Sequence, residues 1–309
     1  MKNETLGLEK FEISDLIREI RIEKKVRQDV LYAGLCGKKK YFQLENGDVV
    51  MDELLSERLF SRLHVQYHLV DIMLDDENFW QKECRYEINL QLHKKCWDKA
   101  ERLLTEYEAK APKEKIHRQY VLAKRAEICY QTKTEQSGNL FCEALELTMP
   151  VAEVEERIRT SGIVASEELW LYFRYRSCEQ PFSFEEYDLF LEQTEKWFLT
   201  AQILAEVYFE AACQYACELW NAERYVTCRE ICRRAITWLK RGKKSFHLAE
   251  FYFMDAIAGM HLKHQEEEEK ELYQQCKMAY YISESFGDKE TAEDIAAYCK
   301  EELGWHITA

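Results

Sequence analysis

The sequence predicts an all-α protein, and three observations carry that expectation. Only 10 glycines and 3 prolines occur in 309 residues. So few breakers over such a length favour long helices. Apolar residues recur with helical spacing, as in Ile13, Leu16, Ile17 and Ile20, which form one face of a helix. A block of six residues also repeats: Leu204-Ala205-Glu206-Val207-Tyr208-Phe209 returns as Leu248-Ala249-Glu250-Phe251-Tyr252-Phe253, an offset of 44 residues. Cys232-Arg233-Arg234-Ala235 and Cys276-Lys277-Met278-Ala279 keep the same offset. A fixed period in a helical chain indicates stacked helical hairpins, because no hairpin buries its apolar face alone.

The length fits about two domains. Charge is divided unevenly between them. Residues 1–64 hold 12 bases and 12 acids, so the formal net charge of −14 falls entirely on the remainder. Within the first part, residues 18–40 carry eight bases against Glu19, Glu23 and Asp29. The overall sign argues against whole-surface binding to nucleic acid or an anionic membrane, whereas the local basic stretch points to a confined anion-binding patch. No apolar leader and no run of 18 apolar residues occurs, so neither a secretory signal nor a membrane span is expected. Twelve cysteines scattered at core-like helical positions fit reduced thiols in the cytoplasm.

In order, residues 1–12 read as a polar lead-in, and a first helix follows Ser14-Asp15 and ends near Lys24-Lys25. The second opens at Gln28 and carries Val30 and Leu31. Gly34 and Gly37 bracket a turn. The third runs from about Lys38 to Glu45, and Asn46-Gly47 supplies left-handed residues to stop it. Met51, Leu54, Leu55, Leu59 and Leu63 mark a fourth, and Val65 to Leu74 a fifth. The expected division is 1–74, a joint at 75–79, and a helical array over 80–309. Breakers fall at Pro112, Gly138, Pro150, Gly162, Pro181, Gly242 and Gly287. They divide the array into hairpins at 80–110 and 114–148, an irregular piece at 151–164, a poorer match at 165–200, the repeat pair, and a terminal helix over Asp288–Leu303.

Gln28 opening a helix, Gly34-Leu35-Cys36 in the turn and Leu44-Glu45-Asn46-Gly47 closing the next helix resemble the Cro/repressor-type (Xre) helix-turn-helix. The helix before and the two after match its five-helix layout. That resemblance implies a third helix entering the major groove and a second lying on the backbone. Gln28 would then contact a phosphate, and Lys38, Lys39, Lys40, Gln43 and Asn46 would face DNA. Arg27, Tyr32 and Gln43 stand where the family more often has a cap residue, a small residue and an arginine. The spacing of Ala211, Ala212, Tyr215, Leu219, Tyr225 and Ala235 resembles tetratricopeptide repeats, though the period is longer.

A helix-turn-helix head followed by a tetratricopeptide-like array resembles the peptide-responsive, quorum-sensing regulators of the Rgg and PlcR type. The resemblance implies a transcription regulator, cytoplasmic and homodimeric, that binds double-stranded DNA and a short signalling peptide or a protein partner. Arg85 and Asn89, one turn apart, are the candidate ligand contacts. The alternative is a protein-interaction scaffold whose head does not bind DNA.

Two further clusters have plainer readings. Cys213, Cys217, Cys228 and Cys232 form two i, i+4 pairs that four thiolates' worth of zinc chemistry would suit. Their spacing is not the short-loop form, and core packing is the reading taken. His261 and His264 beside Glu266–Glu269 read as a solvated helix start. No phosphate loop, nucleophile elbow or paired-acid arrangement occurs, so no enzyme, cofactor or metal is expected.

Overall fold

The computed structural model describes residues 13–49, 52–65, 76–160, 162–201, 204–262 and 266–307. Among them lie sixteen helices and no strand, and none of these helices is long and apolar enough to cross a membrane. The lead-in, the fifth head helix and His264 fall outside the described residues.

Contacts divide the chain into two compact units: Met1–Ser183 with Lys196–Leu204, and Phe184–Glu195 with Ala205–Ala309. The first unit starts with α1 (Ile13–Glu23), α2 (Gln28–Tyr32), α3 (Lys38–Glu45) and α4 (Glu53–Arg62). Leu31, Leu35, Tyr41, Leu44, Leu55 and Leu59 bury a small core between them. Asp52 starts α4 by accepting from the Leu55 amide at 3.0 Å. Such a cap satisfies a donor that helix geometry leaves open.

The same unit continues with α5 (Asp76–His93), α6 (Trp97–Lys110), α7 (Lys115–Gln131), α8 (Ser137–Glu146), α9 (Val151–Thr160) and α10 (Ser166–Glu179). Successive helices pack as hairpins, α5 on α6 and α7 on α8, and α4 lies against α7 and α10. Two expectations are corrected here. Residues 151–160 are helical, because Val154 and Ile158, at i and i+4, both bury completely or nearly so. Gly138 lies inside α8 rather than breaking it, since the Glu179 side chain packs where a Cβ would project.

Helix α11 (Phe184–Ala201) follows, then α12 (Ala205–Asn221), α13 (Tyr225–Gly242), α14 (Leu248–His261), α15 (Glu266–Phe286) and α16 (Lys289–Glu302). In the second unit α12 packs on α13, α13 on α14, α14 on α15, and α15 on α16. The 44-residue repeat falls on α12–α13 and α14–α15. Its equivalent positions bury alike: Ala205 and Ala249, Val207 and Phe251, Cys232 and Cys276, Ala235 and Ala279. Small residues at matched positions let neighbouring helices approach closely. One buried carboxylate interrupts this apolar contact: Asp255 on α14 accepts from Arg229, Arg233 and Gln275 at 2.8–3.2 Å.

Candidate nucleic-acid interface

The helix-turn-helix is assembled from α2, the turn at residues 33–37, and α3. Gly34 makes the turn with φ +74°, a conformation that favours a residue without Cβ. Gly37 then starts α3 in extended conformation with no side-chain cap. The first amides of a helix have no intrahelical acceptor. They face outward beside three lysines, an arrangement that favours an anion at that end.

Helical periodicity sorts the side chains of α3. Tyr41, Leu44 and Glu45 are buried, whereas Lys38, Lys39, Phe42 and Asn46 are exposed, and Lys40 and Gln43 are half-buried. The Lys38 ammonium sits 5.8 Å from the Phe42 ring centre. The stop at residues 46–47 uses one left-handed residue, not two. Asn46 stays right-handed at φ −92°, and Gly47 alone crosses to φ +74°.

Glu45 organises the inside of the head. Its buried carboxylate accepts from Arg21 Nε at 2.7 Å and the Tyr41 hydroxyl at 3.1 Å, and from the amide of Gln28. One acid thus links α1, α2 and α3. Burial, with the Glu45 charge beside it, pushes the Tyr41 phenol upward. Gln28, the expected phosphate contact, turns its amide toward Glu45 in this arrangement.

Lys40 is also committed. Its ammonium pairs with Glu114, the residue that starts α7. The turn makes a second contact with the following helices. A Cβ at Gly34 would lie 1.8 Å from the Thr148 carbonyl oxygen. Thr148 is itself fixed, because its hydroxyl accepts from Gln119 at 2.6 Å.

Arg62 at the end of α4 secures the whole arrangement. It is fully buried and donates to the carbonyls of Leu31 and Ala33 at 2.8 and 2.7 Å, satisfying the open end of α2. Its other nitrogens reach Glu168 of α10 at 2.5 and 3.2 Å. Although burial of Glu168 works the other way, the Arg62 guanidinium holds its carboxyl below the usual range. Sequence reasoning missed this pair. The available signal was an arginine amid Leu59, Phe60 and Leu63, on the apolar side of its helix.

Arg85 is likewise buried, bonded to the Tyr107 hydroxyl at 3.0 Å and paired with Glu53 of α4. Asn89, one turn on, is half-buried. Arg85 therefore ties α5 to the head. Asp52 is held below the usual carboxylate range, with burial opposing and His117 (3.4 Å away) prevailing. Among the described residues no three His, Cys, Asp or Glu side chains converge as metal ligands. His261 stacks on Tyr225 at 4.5 Å.

No family model matches the sequence, and no curated protein does. Among solved structures, the fold is similar to that of PlcR from Bacillus thuringiensis in complex with the peptide PapR7 and DNA. That likeness has a TM-score of 0.51 at 13% identity and covers 92% of this chain and 98% of that one. The apo form of the competence regulator ComR from Streptococcus vestibularis gives 0.45 at 13% identity, covering 93% and 97%. ComR from S. thermophilus, in complex with DNA and its signalling peptide ComS, gives 0.43 at 14%, covering 92% and 97%. The chain has the all-α fold of the PlcR-type regulators that its sequence resembles.

Proposed function

We propose that this chain is a cytoplasmic, homodimeric transcription regulator that reads DNA with α3 and responds to a peptide bound by its helical array. The observation that carries the DNA reading is the open N-terminus of α3, with Lys38 and Lys39 exposed beside it. Uncapped amides and two free ammonium groups suit a phosphate backbone. PlcR, whose fold the whole chain resembles, was solved with DNA and a peptide.

The Lys40–Glu114 pair links the reading helix to the array. A ligand that shifts α7 relative to α3 would change whether Lys40 is available to DNA. Coupling of this kind needs differential contacts in two states, and the ion pair provides one of them.

A scaffold that binds no DNA is the competing reading, and the internal commitments of Gln28 and Lys40 favour it. Fluorescence anisotropy on fragments of the chain's own upstream region separates the two. Lys38→Ala with Lys39→Ala should weaken binding and lower the slope of log affinity against log salt by up to about 2. Glu114→Gln should tighten binding. If the unaltered chain binds no fragment above background at low salt, the scaffold reading stands.

A further inference from the structure

All six cysteines of the second unit lie in neighbouring thiol pairs: Cys213 with Cys217 on α12, Cys228 with Cys232 on α13, and Cys276 with Cys299 between α15 and α16. The last two pairs are buried and closed to reagents. The first differs, because Cys217 is exposed and Cys213 half-buried.

Its surroundings favour one thiolate. Cys213 donates to Cys217 and holds that thiol below the ordinary range; His247 works the same way, while burial, Glu218 and Glu250 work against it. His247 bonds Glu210 at 2.9 Å and Glu250 at 3.0 Å. Burial opposes the charge on His247, but those two carboxylates raise it to about 10, so it is cationic at neutral pH. Solvent stabilises the charge at Cys217, the exposed member, and leaves Cys213 as the protonated donor. Exposed thiolates beside a second thiol are the ones that oxidants attack and partners resolve.

We propose that Cys213 and Cys217 form a hydroperoxide-reactive pair that closes into a disulfide across one turn of α12. The Cys217 thiolate attacks the terminal oxygen of the hydroperoxide. The O–O bond breaks, an alcohol (or water) leaves after protonation, and Cys217 becomes a sulfenic acid. The Cys213 sulfur then attacks Cys217, the S–O bond breaks, and the Cys213 proton leaves with the hydroxyl as water. Two thiols lose two electrons, and the hydroperoxide gains them.

Closure deforms the helix. Cβ atoms four residues apart on a helix are about 5–6 Å apart, whereas a disulfide brings them to about 3.5–4.5 Å. The affected turn carries Tyr215 and Ala216, both buried, and Tyr215 stacks on Tyr187 at 4.7 Å.

The test is peptide mapping of the full-length protein after graded hydrogen peroxide, followed by iodoacetamide. Cys96, exposed with its sulfur 3.6 Å from the Lys94 carbonyl, is the internal reference. The peptide holding both cysteines should lose two hydrogens and resist alkylation at a peroxide dose at least about tenfold below that needed to oxidise Cys96. Cys213→Ser should stop Cys217 at the sulfenic acid, trapped by dimedone. Circular dichroism should lose helical signal on oxidation and regain it with dithiothreitol. Oxidation of Cys96 before the pair, or a Cys217 disulfide to any other cysteine, overturns the proposal.

Discussion

Where the helix-turn-helix segment meets the helices that follow it, the first unit is joined by charge. Arg62 with Glu168, Arg85 with Glu53, and Lys40 with Glu114 all cross that junction. In the second unit the repeated helices meet through Ala211, Ala212, Ala235, Ala256, Ala258 and Ala279, all fully buried, and through stacked rings such as Tyr187 on Tyr215. The two kinds of contact fail differently. An apolar contact loses stability in proportion to the atoms removed. A buried ion pair that loses one member leaves the other charged, dehydrated and unpaired. The head is therefore held by a few all-or-none contacts, and the repeat by many graded ones.

The sharpest way to break this contrast is Arg62→Ala. It strands Glu168 and uncovers the Leu31 and Ala33 carbonyls, so chemical denaturation should show a loss of about 3–5 kcal/mol. A loss below about 1 kcal/mol, the level of exposed pairs, would mean that charge does not hold the junction.

Gly34→Ala comes next. It forces a side chain into a left-handed conformation, which costs about 1–3 kcal/mol, and drives a Cβ into the Thr148 carbonyl. Hydrogen exchange should show α2 and α3 opening, while α12–α15 keep their protection. Equal loss of protection in both regions would contradict the separation drawn here.

The smallest effect concerns the second unit's own charged cluster at His247. Its pKa is raised to about 10 from 6.5. A raised cationic pKa contributes stability that is complete below about pH 6.5 and lost as pH rises through about 10. His247→Asn keeps a residue tolerant of the left-handed φ of 52° found there. The Tm difference between parent and variant should be largest near pH 6 and vanish by about pH 10. A difference that grows with pH would mean that the two glutamates do not hold a cation.

Much of the candidate interface was legible because it rests on local rules. The bounds of α3, the glycine turn, and the outward side of Lys38 and Lys39 follow from periodicity and breakers within twenty residues. Lys40 was legible as a lysine on that helix but not as the partner of Glu114, which lies 74 residues away. Gln28 fitted the pattern of a backbone contact, yet Glu45, buried on the inner face of α3, takes its amide. Arg85 read as a solvated ligand contact because its helix shows no strong apolar stripe. Its burial comes from Glu53 and Tyr107, on two other helices.

By itself the sequence determined the helices, the helix-turn-helix and the 44-residue repeat. Helical spacing, chain breakers and residue size act over a turn or two and recur wherever the pattern recurs. Only the tertiary structure decided which charges face DNA and which hold the protein together. The partners of Arg62 and Lys40 lie 106 and 74 residues along the chain. No local periodicity links such distant positions, and the pairs form only when packing brings α10 and α7 against the head.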